Sequence, residues 1–212
     1  MKGGIVYISS NREKPKFEQK IIKDMLSKKG DLPIFSVTQQ PMNLGANQFV
    51  GDVGVSGFNF CRQLQMAVKM ADVDYVISCE ADCLYPKDYF TFVPPKPDKI
   101  YRNNNNYLIP YKRNVYWYKK SQTAFQIASK KVLLARLDYL LDGQPMWNTK
   151  MKNFPKEIGK KFLGSWHEFT TINACLTIKT GDGMRNYSNS ERFNIDELPY
   201  WGTAIKIKRR FL

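Results

Sequence analysis

Asp74-Tyr75-Val76-Ile77-Ser78-Cys79-Glu80-Ala81-Asp82 is a short apolar run that ends on two acids. A run of this length, bounded by polar residues, reads as a buried central strand. Before it, Phe58 to Ala71 repeats apolar residues at Phe60, Leu64, Ala67, Val68 and Ala71, and the spacing predicts a helix. Further back, Gly4 to Ser10 and Leu32 to Thr38 read as strands around a helix over Phe17 to Ser27, with Gly30 as its stop. The chain therefore opens β-α-β, with parallel strands. Between them and the central strand lies Pro41 to Gly57, rich in glycine and read as a long functional loop.

After Val93-Pro94-Pro95-Lys96-Pro97, a stiff connector, the character changes. Short strands are expected at Ile100–Arg102, Tyr107–Tyr111 and Val115–Tyr118, with a turn over the four asparagines from Asn103 to Asn106. Lys130 to Leu141 predicts a helix, Trp166 to Leu176 a helix or a strand, and Lys206 to Arg210 a basic tail. The expected fold is α/β: one domain with a Rossmann-type mixed sheet flanked by helices. Residues 1–97 form its nucleotide-binding half and residues 98–212 its acceptor-binding half.

Hydrophobic residues make up 43% of the 212 and aromatics 14%, enough for a folded core rather than a disordered chain. No apolar run approaches the roughly 20 residues that span a bilayer. The opening run is too short for a signal peptide, so a cytoplasmic location is expected. The four cysteines have no C-x-x-C spacing and there is one histidine, which argues against a zinc site and against a Ser-His-Asp hydrolase. Lysine and arginine number 33 against 19 acids, a formal +14. That excess points to a polyanionic partner. The Tyr/Trp and Lys/Arg interleaving from Tyr111 to Lys120 points the same way, since cations follow phosphates and aromatic faces stack on bases.

Ligands of open α/β sheets bind beyond the carboxyl ends of the strands. Ser9, Ser10 and Asn11 follow the first strand there, Thr38 and Gln39 the second, and Glu80 and Asp82 the third. On an extended segment Glu80 and Asp82 would face one point and could hold one hard divalent ion, Mn²⁺ or Mg²⁺. Such an ion would offset the charge of a diphosphate, and Lys179 and Arg185 could meet that diphosphate as well. An E-x-D pair alone is weak, because solvated acids at strand ends are common. Its place after a buried strand gives it weight. Gln122 and Thr123, after the aromatic strand, could contact sugar hydroxyls.

Ile5-Val6-Tyr7 with Ser9, the helix before Asp74 to Ile77, and the block Glu80-Ala81-Asp82-Cys83-Leu84-Tyr85-Pro86 resemble GT-A-type nucleotide-sugar glycosyltransferases. Leu176 to Gly181 and Leu198 to Gly202 look similar to segments of small phage members that decorate hydroxymethylated pyrimidines in DNA. The resemblance implies a UDP-sugar donor, a metal at Glu80 and Asp82, and a GT-A-like fold. It implies inverting transfer to a DNA base such as 5-hydroxymethylcytosine, in host cytoplasm if the chain is phage-encoded. It also implies a histidine ligand near Thr180; none is there, and His167 is the substitute. The catalytic base of the family lies downstream of the metal motif, which suggests Glu168, then Asp182, then Asp142. Two other readings compete: a glycosyltransferase acting on a cell-surface polysaccharide or lipid-linked acceptor, and a nucleic-acid-binding protein without catalysis.

Overall fold

The computed structural model describes residues 1–120, 122–151, 165–181 and 193–212. Strand β1 (Gly3–Ser9) is buried along its whole length, so both its faces must be covered. Helix α1 (Pro15–Leu26) follows, with Pro15 in the first turn and Phe17, Ile21 and Met25 inward. β2 (Ile34–Thr38) pairs parallel to β1, as the β-α-β pattern predicts. α2 (Gly57–Met70) is started by Ser56, whose Oγ accepts the Asn59 N–H at 2.9 Å. β4 (Tyr75–Glu80) then lies parallel on the other side of β1.

The segment read as a long loop contains a strand, β3 (Ala46–Phe49), parallel to β2 at the sheet edge. Its side chains are mostly exposed, so no apolar alternation marks it. Beyond β4 come β5 (Cys83–Leu84), α3 (Lys87–Phe90), β6 (Ile100–Asn103), β7 (Asn106–Ile109), β8 (Tyr116–Tyr118) and β9 (Gln126–Ser129). α4 (Lys130–Leu141) follows, then β10 (His167–Phe169), β11 (Cys175–Ile178), β12 (Asn194–Ile195), β13 (Glu197–Leu198), β14 (Gly202–Thr203) and α5 (Ala204–Phe211).

Seven strands form one mixed sheet in the order β10-β6-β9-β4-β1-β2-β3, where β9 runs antiparallel to both β4 and β6. On one face, α2 and α4 bury Phe58, Leu64, Val68, Leu133 and Leu137 against Val6, Val37 and Val76. The opposite face packs Tyr7, Ile77 and Ile127 against Tyr85, Tyr89, Phe125 and Phe169, with Phe92 stacked on Phe169 at 4.1 Å. A five-stranded sheet, β12-β8-β7-β11-β5, shares a third cluster with α1 and α5 through Phe17, Ile21, Leu176, Trp201, Ile207 and Phe211. The presumed basic tail is thus a helix. Ala204, Ile207 and Phe211 recur on one face while Lys206, Arg209 and Arg210 stay exposed. Burying Ile207 and Phe211 is worth about 3–6 kcal/mol, enough to dock a helix this short.

One detail of this architecture sets up the site. The chain leaves the large sheet at Glu80, turns through Ala81 and Asp82, and enters the small sheet at Cys83. The two acids sit on the crossover between the sheets, at the carboxyl end of β4.

Candidate active site

Glu80 and Asp82 are brought together, by a turn rather than by strand alternation. The carboxylate oxygens of both and the Cys83 thiol lie within 4.8 Å of one another. Asp82 is buried and its Oδ2 accepts from Lys179 Nζ at 2.9 Å, while its Oδ1 faces the Cys83 thiol at 3.3 Å. The Lys179 side chain is 13% exposed and that of Asp82 11%, so the ion pair is nearly dry. β11 supplies Lys179, and its register is fixed by Ile178 N–H donating to the Asp82 carbonyl at 2.8 Å.

Burial and then the neighbouring Asp82 charge push the Glu80 carboxyl up to about 7, with Lys179, Arg12 and Lys119 pulling the other way. Burial works against the Lys179 ammonium, but Asp82, Cys83 and Glu80 outweigh it and its pKa ends above the ordinary value. Burial lowers Lys119, as does the like charge of Lys179. Three cations therefore surround two carboxylates: Lys179 after β11, Lys119 after β8, and Arg12 in the loop after β1. Arg12 also pairs with the buried Glu13 at 3.6 Å. Sequence reasoning missed Lys119 and Arg12, because only the packing of the small sheet against the first loop brings them to Glu80. The cations make the corner suited to an anion with several charges, such as a diphosphate.

The donor set also suits a hard divalent ion. Among the described residues the Glu80 carboxylate has no hydrogen-bond partner, and Asp82 Oδ1 holds only a weak thiol contact. Burial raises the Cys83 thiol well above its ordinary value, so it stays protonated and is no ligand. Two carboxylates form a foothold, and the remaining coordination would come from phosphate oxygens and water, the common arrangement for Mg²⁺. His167 does not join them. It sits on β10, its ring 5.6 Å from that of Tyr101. The register runs His167–Tyr101–Ile127–Ile77 across four strands, about 14 Å from β4 at ordinary strand spacing.

At the ends of β1 and β2 the polar side chains are largely spent on the fold. Asn11 has φ of 50°, a left-handed conformation that asparagine tolerates. Its Oδ1 accepts the N–H groups of Gln39 and Gln40, both at 2.9 Å, which clamps the first loop to the second. Ser9 Oγ accepts from Asn11 N–H at 2.9 Å. Thr38 Oγ1 donates to the Gln40 carbonyl at 2.6 Å. Gln39 is bound to Gly54 through both ends of its amide, and Gln63 on α2 donates to the Ser9 and Val37 carbonyls at 3.0 and 3.1 Å. These residues build a rigid shelf beside the acids, and Ser10, half-buried, lies on it.

Glu168 is exposed on β10, and its Oε2 lies 3.5 Å from Asn104 Nδ2. Asp142 caps the end of α4, also exposed. Gln122 Oε1 accepts from Thr177 Oγ1 at 3.1 Å, which places it beside Cys83 and Asp82; Thr123 next to it is exposed. Asp182 and Arg185 lie outside the described residues, as do Lys152, Lys156, Lys160 and Lys161.

No protein-family model and no curated protein matches the chain. Among solved structures it is similar to residues 1–349 of S. aureus TarS, with 14% identity and a TM-score of 0.52 over 84% of this chain and 60% of that one. The same TarS fragment in complex with UDP-GlcNAc aligns at 12% identity and a TM-score of 0.48, over 89% and 60% of the two chains. The mannosyltransferase PcManGT from Pyrobaculum calidifontis, in complex with GDP-Man and Mn²⁺, aligns at 14% and 0.46, over 87% and 58%. The chain thus spans less than two thirds of these neighbours' length. The likeness to TarS shows the fold: that of GT-A-type nucleotide-sugar transferases. No helix among the described residues is long and apolar enough to cross a membrane.

Proposed function

We propose that the chain is a glycosyltransferase that moves a sugar from a nucleotide-sugar, UDP-linked, to the hydroxyl of a hydroxymethylated pyrimidine in DNA. The observation that carries the donor half is the corner at the end of β4. Two carboxylates there share a 4.8 Å cluster and are surrounded by Lys179, Lys119 and Arg12. Glu80 and Asp82 would hold Mn²⁺ or Mg²⁺, which when bound supplies positive charge to the diphosphate leaving group. Lys179 and Lys119 meet the same phosphates directly. Lys179 is held by Asp82 in one place, so it needs no rearrangement as the negative charge develops. The shelf made by Ser9, Ser10, Asn11, Thr38 and Gln39 supports the nucleoside, and Gln122 and Thr123 face the sugar. An inverting transfer needs a carboxylate to accept the proton of the attacking hydroxyl. Glu168 takes that role, with Asp182 the second choice, and Arg185 adds to the diphosphate contacts.

The acceptor half is supported by charge. A formal +14 exceeds what a nucleotide-sugar requires. Lys206, Arg209 and Arg210 are exposed on α5, and Arg113 lies 5.5 Å from the Trp117 ring on β8. The reacting base would leave the helical stack to bring its hydroxyl to the anomeric carbon.

The test is transfer from a panel of labelled nucleotide-sugars to duplexes carrying hydroxymethylcytosine, hydroxymethyluracil or neither. The expected result is label on a hydroxymethylated duplex alone, lost in Glu80→Ala/Asp82→Ala while DNA binding persists. Label appearing only on a saccharide or lipid-linked acceptor would overturn the DNA reading and keep the enzyme. Tight DNA binding with no transfer from any donor would leave a binding protein.

A further inference from the structure

Arg102 is a cation without a counter-ion. It lies on β6, is 6% exposed, and points to the α4 face of the large sheet, as its alternation with Tyr101 on the aromatic face requires. Its Nε donates to Gln126 Oε1 at 3.1 Å, and its guanidinium lies 4.2 Å from the Trp166 ring. Among the described residues its terminal nitrogens reach no acceptor and no acid pairs with it. Glu168 is its register partner on β10, yet the carboxylate of Glu168 turns to Asn104. Arg136 on α4 adds a second like charge nearby.

Arginine is almost never buried to this degree without a partner, because desolvating a charge is costly. A neutral methionine or leucine would pack beside Trp166 more cheaply. Holding a planar fork of N–H donors against an aromatic face, with one edge fixed by Gln126, is the arrangement that receives an oxyanion on two parallel hydrogen bonds. Two strand spacings separate β6 from β4, so the fork is about 10 Å across the sheet from the strand that carries Glu80.

We propose that Arg102, stacked on Trp166 and oriented by Gln126, binds a backbone phosphate of the DNA acceptor next to the nucleotide that receives the sugar. The proposal rests on the acceptor reading above and adds a specific contact to it. The site is separate from the cations around Glu80, which serve the donor diphosphate.

The experiment compares wild type with Arg102→Met and Arg102→Lys, measuring thermal melting, UDP binding, and anisotropy of a labelled 16-base-pair duplex between 50 and 300 mM NaCl. Arg102→Met is expected to melt no lower than wild type, since it removes an unpaired buried charge, and to bind UDP unchanged. Its DNA affinity should fall about tenfold, and the slope of log K against log salt should become shallower by about 0.9, the value for one phosphate contact. Arg102→Lys should recover the slope and only part of the affinity, because an ammonium has no fork. A wild-type salt slope in Arg102→Met, with DNA still bound, overturns the subsite alone. Melting far below wild type with unaltered DNA binding also overturns it, because Arg102 is then structural. Failure of the wild-type protein to bind duplex at all overturns the acceptor reading instead.

Discussion

Replacing Lys179 by methionine removes an ammonium that sits 2.9 Å from Asp82. Both side chains are nearly buried, at 13% and 11% exposure, so solvent screens the pair little. Taking one partner from such a pair leaves an uncompensated buried charge and costs about 3–5 kcal/mol. The variant is spared the cost of burying the lysine, so the low end, about 3 kcal/mol, is expected at neutral pH. For a domain of this size each kcal/mol shifts Tm by about 2–4 °C, which gives a drop of about 6–12 °C. Urea unfolding followed by tryptophan fluorescence in EDTA reads the same quantity as a lower midpoint. Asp82→Asn combined with Lys179→Met should recover about 2 kcal/mol relative to the sum of the single variants, because the coupling belongs to the pair. A Lys179→Met protein within 1 kcal/mol of wild type, or strict additivity in the double variant, would show that Lys179 is solvated and that the site is not the dry corner described here.

Three further outcomes follow from the same geometry. Burial holds the Glu80 carboxyl at about 7 in the fold, against its ordinary 4.5. Its contribution to metal-free stability is therefore full below about pH 4.5 and lost as pH rises through 7, about 3 kcal/mol in all. Glu80→Gln should accordingly gain stability on wild type between pH 5 and pH 8 in urea titrations, and an unchanged difference at the two pH values would contradict this. Asn11→Ala breaks two 2.9 Å hydrogen bonds and keeps a left-handed φ, at an expected cost of about 2–3 kcal/mol, whereas Asn11→Gly relieves the backbone and loses less. Equal midpoints for the two would show that backbone strain plays no part. All four cysteines are buried and burial pushes the Cys61 thiol up to about 12, so a disulfide reagent at pH 8 should label none of them quickly until urea is added. Rapid labelling of any one in native buffer would place that thiol at the surface.

The parts of the fold that were legible in the sequence are those with strong apolar patterns. β1, α1, β2, α2 and β4 are marked by runs and helical periods that local chemistry alone explains, and so is the turn at Asn103–Asn106. β3 was hidden because an exposed edge strand needs no alternation, and β9 because four residues between an aromatic strand and a helix give too short a signal. In α5 the run of cations drew attention away from Ala204, Ile207 and Phe211, which dock the helix. At the site, Glu80, Asp82 and Lys179 could be picked out, since strand ends and charge are local features. Asn11, Thr38 and Gln39 were rightly placed beside the acids, but polar residues at strand ends can serve the fold as well as a ligand. Only their hydrogen bonds decide which. Arg12, Lys119 and Arg102 have no sequence signal at all, because their surroundings come from segments 68, 39 and 24 residues away.

The central claim is that the Glu80–Asp82 corner receives the diphosphate of a nucleotide-sugar. Its most direct test is a crystal structure with UDP and Mn²⁺, with the metal located by anomalous scattering. The account predicts manganese bound by both carboxylates and the β-phosphate within contact of Lys179 Nζ. A nucleotide seated elsewhere, with the two acids facing only water or Lys179, would contradict it.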